Sequence, residues 1–244
     1  MKIIAITNQK GGTAKTTTAA ALAVLLARGG TRTHLVDMDP QASLTHAFGH
    51  SDNTDGLYHA LTHRAGLPIQ TVSQHLTLTP STIELGRAET ELLTETGREY
   101  FLRTSLEKTS LPPDAVVLLD CPPSLGILAV NCLTTAGGMI AVIQPGGFEL
   151  HALAHLHVTT QAIQQRVNPD LQILGAVITN AHRRRRITAQ VRTEVNRLYP
   201  VLGTIRSDAR LLYATTAGAI QQLASSKALD DYAQVVDQLR PVLP

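Results

Sequence analysis

Five apolar runs recur along the chain, each closing on polar or small residues. They are KIIAIT (Lys2–Thr7), THLVDMD (Thr33–Asp39), DAVVLLD (Asp114–Asp120), GMIAVIQP (Gly138–Pro145) and LQILGAVITN (Leu171–Asn180). Short runs of this kind predict strands buried in a parallel sheet. Longer Ala- and Leu-rich stretches lie between them and predict helices, at Thr16–Arg28 and roughly at Ile127–Ala136, Glu149–Arg166 and Thr188–Leu198. Gly29 and Gly30 stop the first of these. Strand alternating with helix implies an α/β fold, a doubly wound, mostly parallel sheet with helices on both faces. In such sheets ligands bind beyond the carboxyl ends of the strands. Gly11–Thr16, Asp37–Asp39, Asp120–Pro123, Gln144–Pro145 and Asn180 are therefore expected to converge. Without internal repeats or a linker, residues 1–244 are expected to form one domain.

Composition narrows the class. Hydrophobic residues make up 43% and charged residues 16%, which argues against disorder. Aromatics are only 3%, so the core must be aliphatic. A net charge of +2 means that any nucleic-acid contact has to come from a local patch. Cys121 and Cys132 are too few for a disulfide scaffold and form no CxxC pair, so reduced buried thiols are expected and cluster binding is disfavoured. No signal peptide and no apolar run of about 20 residues is visible. The C-terminal DYAQVVDQLRPVLP would make a poor membrane anchor. A cytoplasmic protein with no membrane partner is the expectation. His151, His155 and His157 share a helical stretch, but no third ligand stands out, and a packed or solvated face is favoured over a metal site.

The chemistry gathers in NQKGGTAKTT (Asn8–Thr17). The ordinary phosphate-binding loop wants glycine six residues and one residue before its lysine. Before Lys15 those positions hold Gln9 and Ala14. The physical requirements are still met. Gly11 and Gly12 let the backbone approach a phosphate, Lys15 supplies charge, Thr16 offers a hydroxyl to Mg²⁺, and a helix starts behind them. If the loop alternates right- and left-handed residues, Ala14 takes a positive φ at a cost of about 1–2 kcal/mol.

KGGTAKTT matches the deviant Walker A pattern of the ParA/MinD/nitrogenase-iron-protein group of ATPases. With LVDMDPQASLT, LLDCPPSLG and VIQPGGFEL in the same order, the chain most resembles ParA (Soj-like) partition proteins, of the short type without an N-terminal helix-turn-helix extension. The resemblance implies an ATPase producing ADP and phosphate, slow and partner-stimulated, with ATP/ADP and Mg²⁺ as cofactors. It implies that Lys10, Lys15 and Asp39 are catalytic: Lys10 reaches a partner subunit's nucleotide and Asp39 positions the attacking water. Nucleotide contacts are implied for Lys10, Gly11, Gly12, Thr13, Ala14, Lys15, Thr16 and Thr17. On the adenine side they are implied for Asn180, Arg206 and Asp208, where RSD replaces the family's usual Pro-Arg-Asn. Thr16, Asp37, Asp39 and Asp120 are the implied Mg²⁺ set, and CPPSLG after Asp120 reads as a switch loop.

HRRRR (His182–Arg186) has few carboxylates nearby in sequence to pair with. A solvated charge run is the bland account; the resemblance favours a phosphate-backbone patch for non-specific double-stranded DNA. That patch takes in Arg183, Arg184, Arg185, Arg186 and Arg210, with Arg192, Arg197 and Arg206 as extensions. The implied partners are a second copy of the chain, bound in an ATP-dependent homodimer, nucleoid DNA, and a ParB-like centromere-binding protein. A MinD-like membrane-positioning ATPase and a cargo-positioning ParA relative are the alternatives.

Overall fold

The computed structural model describes residues 1–51, 56–146, 149–181 and 186–244. Its strands are β1 (Lys2–Thr7), β2 (Thr33–Asp37), β3 (Gln70–Ser73), β4 (Leu76–Thr79), β5 (Val116–Asp120), β6 (Gly138–Ile143), β7 (Gln172–Ala181) and β8 (Val201–Arg206). They form one sheet in the order β3-β4-β2-β5-β1-β6-β7-β8. Every pairing is parallel except that of edge strand β3 with β4. The five expected strands are all present, with β2 and β6 ending two residues early, at Asp37 and Ile143, and β5 starting two residues late, at Val116. Three more, β3, β4 and β8, extend the sheet at both edges.

The helices are α1 (Lys15–Arg28), α2 (Ser43–Ala47), α3 (Gly56–Thr62), α4 (Leu85–Glu91), α5 (Phe101–Glu107), α6 (Ile127–Thr135), α7 (Glu149–Arg166), α8 (Arg186–Leu198), α9 (Ala209–Thr216) and α10 (Lys227–Leu239). They cover both faces, because alternate strand residues face opposite ways. In β1, Ile4 and Ile6 join one apolar core with α1, α2 and α10, while Ala5 joins the other with α3, α5, α6 and α7. The central strands β2, β5 and β6 are buried along their whole length. Both faces being covered makes continuous apolar strands favourable, at about 25 cal/mol per Å² of apolar surface removed from water. Among the described residues no helix is long and apolar enough to cross a membrane.

Candidate functional site

The loop after β1 is fixed from three directions. Asn8, only 4% exposed, donates from Nδ2 to the Val142 carbonyl on β6 at 2.5 Å, and its Oδ1 accepts from the Lys10 backbone at 3.2 Å. Thr179 on β7 donates to the Thr13 carbonyl at 2.8 Å. Lys15 reaches back across the loop and donates from Nζ to the Lys10 carbonyl at 3.2 Å. Between these ties the backbone alternates hand, with Gly12 at φ 73° and Ala14 at φ 68°. Ala14 thus holds the strained conformation that the nest geometry demands. A Cβ built on Gly11 or Gly12 would meet nothing within 4 Å, so the space over the loop is open to a ligand.

That space continues into a cavity of about 690 Å³, lined by Gly11–Thr17, Asp39, Asn180 and Arg206–Ala209. The predicted nucleotide residues from Gly11 to Thr17 and on the base side are therefore brought together. Lys15 is 6% exposed. Burial lowers its pKa, while Asp120, Cys121 and Asp39 pull in the opposite direction. Lys10, in contrast, is exposed.

The carboxylates divide into three environments. Asp120 ends β5 fully buried, and neither of its oxygens has a hydrogen-bond partner among the described residues. Burial first, and neighbouring Asp37 second, push its carboxyl well above the usual range. The neighbouring Thr16 hydroxyl and Lys15 act in the opposite direction. An orphaned buried carboxylate beside Lys15 and Thr16 suits a hydrated divalent cation, which would supply the missing partners. Asp39 lines the cavity half-buried, its Oδ1 accepting from the Gln41 backbone at 3.0 Å. Asp37 does not line the cavity. Its Oδ2 accepts from the backbone and hydroxyl of Thr45, at 2.8 and 2.7 Å, and its Oδ1 from the Asp39 backbone at 3.2 Å. Burial still lifts its pKa to about 6. Its geometry makes it a brace for the Asp39 segment.

On the base side, the β7–β8 register shifts between Ile178 and Ala181, and Asn180 inside that irregularity has φ 49°. Such bulges re-aim a residue, and Asn180 stands at the cavity wall. Arg206 is clamped by Asp231 at 2.7–2.9 Å, through its backbone N–H and its guanidinium. As an extension of the basic patch it is corrected accordingly: a partner 25 residues on balances its charge. The Asp208 carboxylate caps α9, accepting from the Arg210 and Leu211 backbones, and also accepts from Ala228.

Arg210 is exposed at the start of α9, and Arg192 and Arg197 are exposed on α8, where Arg197 pairs with Glu194 at 2.7 Å. Arg183, Arg184 and Arg185 lie outside the described residues, and of Arg186 only the backbone is described. Among the histidines, His151 and His155 are exposed, and His157 packs its ring 5.6 Å from that of Tyr199. No metal-binding cluster of His, Cys, Asp or Glu exists among the described residues.

Several lining residues escaped the sequence reading. Gln41, Ser43 and His46 follow the DMDP segment into α2, and a signal for them was present, since they continue a quoted motif. Leu211, Leu212, Thr215 and Tyr232 come from α9 and α10, without a local motif.

A family model described as an AAA domain matches residues 1–173. The chain is 40% identical over 201 residues to the chromosome partitioning protein ParA of Myxococcus xanthus, covering 80% of this chain and 70% of that protein. It is 37% identical over 203 residues to the sporulation initiation inhibitor protein Soj of Bacillus subtilis, covering 81% and 80%. Among solved structures, the cobyrinic acid a,c-diamide synthase of Mycobacterium smegmatis with bound ADP and magnesium superposes with a TM-score of 0.83. The two share 33% identity, covering 97% of this chain and 93% of that one. By the order of its motifs, the phosphate loop and these relatives, the chain belongs to the ParA/Soj-type ATPases, P-loop enzymes that use Mg²⁺ to convert ATP and water to ADP and phosphate.

Proposed function

We propose that this ATPase is a dimerisation switch that binds double-stranded DNA non-specifically while loaded with ATP, and drives chromosome or plasmid segregation with a ParB-like partner. The observation that carries the reading is the division of labour between two lysines. Lys15 is buried in the loop and sufficient to meet its own nucleotide. Lys10 is exposed five residues earlier, with its carbonyl already receiving Lys15. A second exposed lysine on a phosphate loop suits a nucleotide in a facing subunit, where it does the work of an arginine finger.

Within one subunit the roles follow from placement. Thr16 and Asp120 would hold the magnesium ion, which would supply positive charge to the phosphate oxygens. Asp39 orients the attacking water, and Asp37 with Thr45 fixes the Asp39 backbone. Asn180 and the Arg206–Asp208 loop contact the base. Arg210, with the 183–186 run, meets DNA phosphates, and dimerisation doubles that salt-dependent attraction.

The apolar residues of α10, Leu229, Tyr232, Val235 and Leu239, are buried against the rest of the fold, which leaves no apolar face on this helix for a membrane. That supports a cytoplasmic, nucleoid-associated protein over a membrane-positioning one. The test is a gel shift with the hydrolysis-impaired Asp39→Ala variant. ATP should raise its affinity for a random-sequence duplex, and an affinity indifferent to ATP would overturn the proposal.

A further inference from the structure

Tyr232 in α10 is 1% exposed, and its hydroxyl lies 2.8 Å from that of Thr18 in α1. Thr18 Oγ1 also lies 2.8 Å from the Ala14 carbonyl. A carbonyl only accepts, so Thr18 spends its single proton on Ala14. The proton between the two hydroxyls must then come from Tyr232. The chain Tyr232 to Thr18 to Ala14 ends on the non-glycine residue of the loop that sits at positive φ.

A threonine bonding back four residues is common in helices and by itself means little. Here the threonine is fully buried and receives a second buried donor from a helix more than two hundred residues away. Linked hydrogen bonds polarise one another. An alanine at positive φ is uphill on its own, so a reinforced bond on its carbonyl biases the loop toward its cradle form. The neighbouring residues of α10 act on the opposite wall. Asp231 clamps Arg206, and the Ala228 backbone donates to Asp208 at 3.1 Å. One turn and a half of α10 therefore sets both sides of the cavity.

We infer that Tyr232 is a positioning residue of the nucleotide site, holding the phosphate loop in its left-handed turn at Ala14 through Thr18, while Asp231 holds the base-side loop. The inference rests on Gly11–Thr17 being the loop that takes the phosphates.

The test is calorimetric titration of the full chain with Mg-ADP, together with steady-state ATP hydrolysis. Tyr232→Phe removes only the hydroxyl and should weaken ADP about fivefold, the scale of one buried hydrogen bond, raising KM while kcat holds. Thr18→Val should do the same, Thr18→Ser should bind like the parent, and the Tyr232→Phe/Thr18→Val double variant should be no worse than either single. Wild-type ADP affinity in Tyr232→Phe overturns the inference, whether or not its thermal midpoint falls. So do losses that multiply in the double variant, because the two hydroxyls would then act separately. Lys15→Ala in the same titration separates the premise from the inference: undiminished ADP binding there would refute the loop assignment itself.

Discussion

His34 offers a test of the fold with the sign and size fixed in advance. It sits on β2, 1% exposed, paired with Thr77 across the parallel ladder to β4. Nδ1 lies 2.8 Å from the Thr77 hydroxyl and Nε2 lies 3.0 Å from that of Thr79. The Thr79 hydroxyl donates to the Pro68 carbonyl, so toward His34 it can only accept. Nε2 therefore carries the proton and Nδ1 accepts from Thr77. A second proton on Nδ1 would put a charge where no water reaches. Burial accordingly lowers the pKa of His34 from 6.5 to about 4.

The unfolded chain, with the ordinary pKa, takes up the proton first as pH falls. His34 thus contributes stability in full above about pH 6.5 and loses it progressively down to about pH 4, where the folded form titrates too. Linkage across those two pKa values gives a loss of about 1.4 kcal/mol at about pH 5.5 and about 2.6 kcal/mol at about pH 4.5. Carboxylates elsewhere also titrate, so the comparison is with His34→Gln, which keeps a donor and an acceptor but cannot charge. Urea unfolding of both proteins is measured at about pH 7, 5.5 and 4.5. The wild type should lose those amounts relative to the variant. Parallel stability curves, or a His34 ring resonance that titrates in the native protein above about pH 6, would refute the reasoning.

Two further outcomes follow from the site. Asp120→Asn replaces a buried carboxyl that has no hydrogen-bond partner among the described residues by a group that cannot ionise, so the thermal midpoint in EDTA should rise while Mg²⁺-dependent ATP hydrolysis falls about 10- to 100-fold; hydrolysis at the parental rate would sink the magnesium assignment. Thr179→Val keeps the shape and cuts the tie from β7 to the Thr13 carbonyl. Calorimetry should show ADP affinity about threefold to tenfold weaker, and parental affinity would mean that the loop holds itself.

The central sheet was legible because its strands are buried on both faces and so lack polar interruptions. Val116–Asp120 and Gly138–Ile143 have no exposed residue at all. The edges were not. β3 (QTVS) and β4 (LTLT) are four residues each, β3 polar at every position but Val72 and β4 alternating Leu with Thr, and β8 is half-exposed along most of its length around Gly203. At an edge and in the strand beside it, pairing with neighbouring strands supplies the stability that local apolarity does not. The phosphate loop was legible down to the sign of φ at Ala14, because the chemistry of cradling a phosphate dictates backbone hand residue by residue. Asp37 was legible as a carboxylate at the strand end but not in its surroundings. Its partner Thr45 lies eight residues on, folded back by a short helix whose preceding residue, Ala42, is itself at φ 53°.

The C-terminal helix shows why the remaining gap exists. Its period of apolar residues is the same whether the partner is a lipid surface or a protein core, so amphipathicity alone leaves its role open. What decides is the set of positions it meets. Leu229, Tyr232, Val235 and Leu239 are buried in the core that α1 shares, and Asp231 and Tyr232 meet Arg206 and Thr18. The separations are 25 and 214 residues. No local pattern encodes bonds of that span. They come into being only once β1, α1 and β8 are stacked, and the same stacking that buries α10 also places it behind the nucleotide cavity.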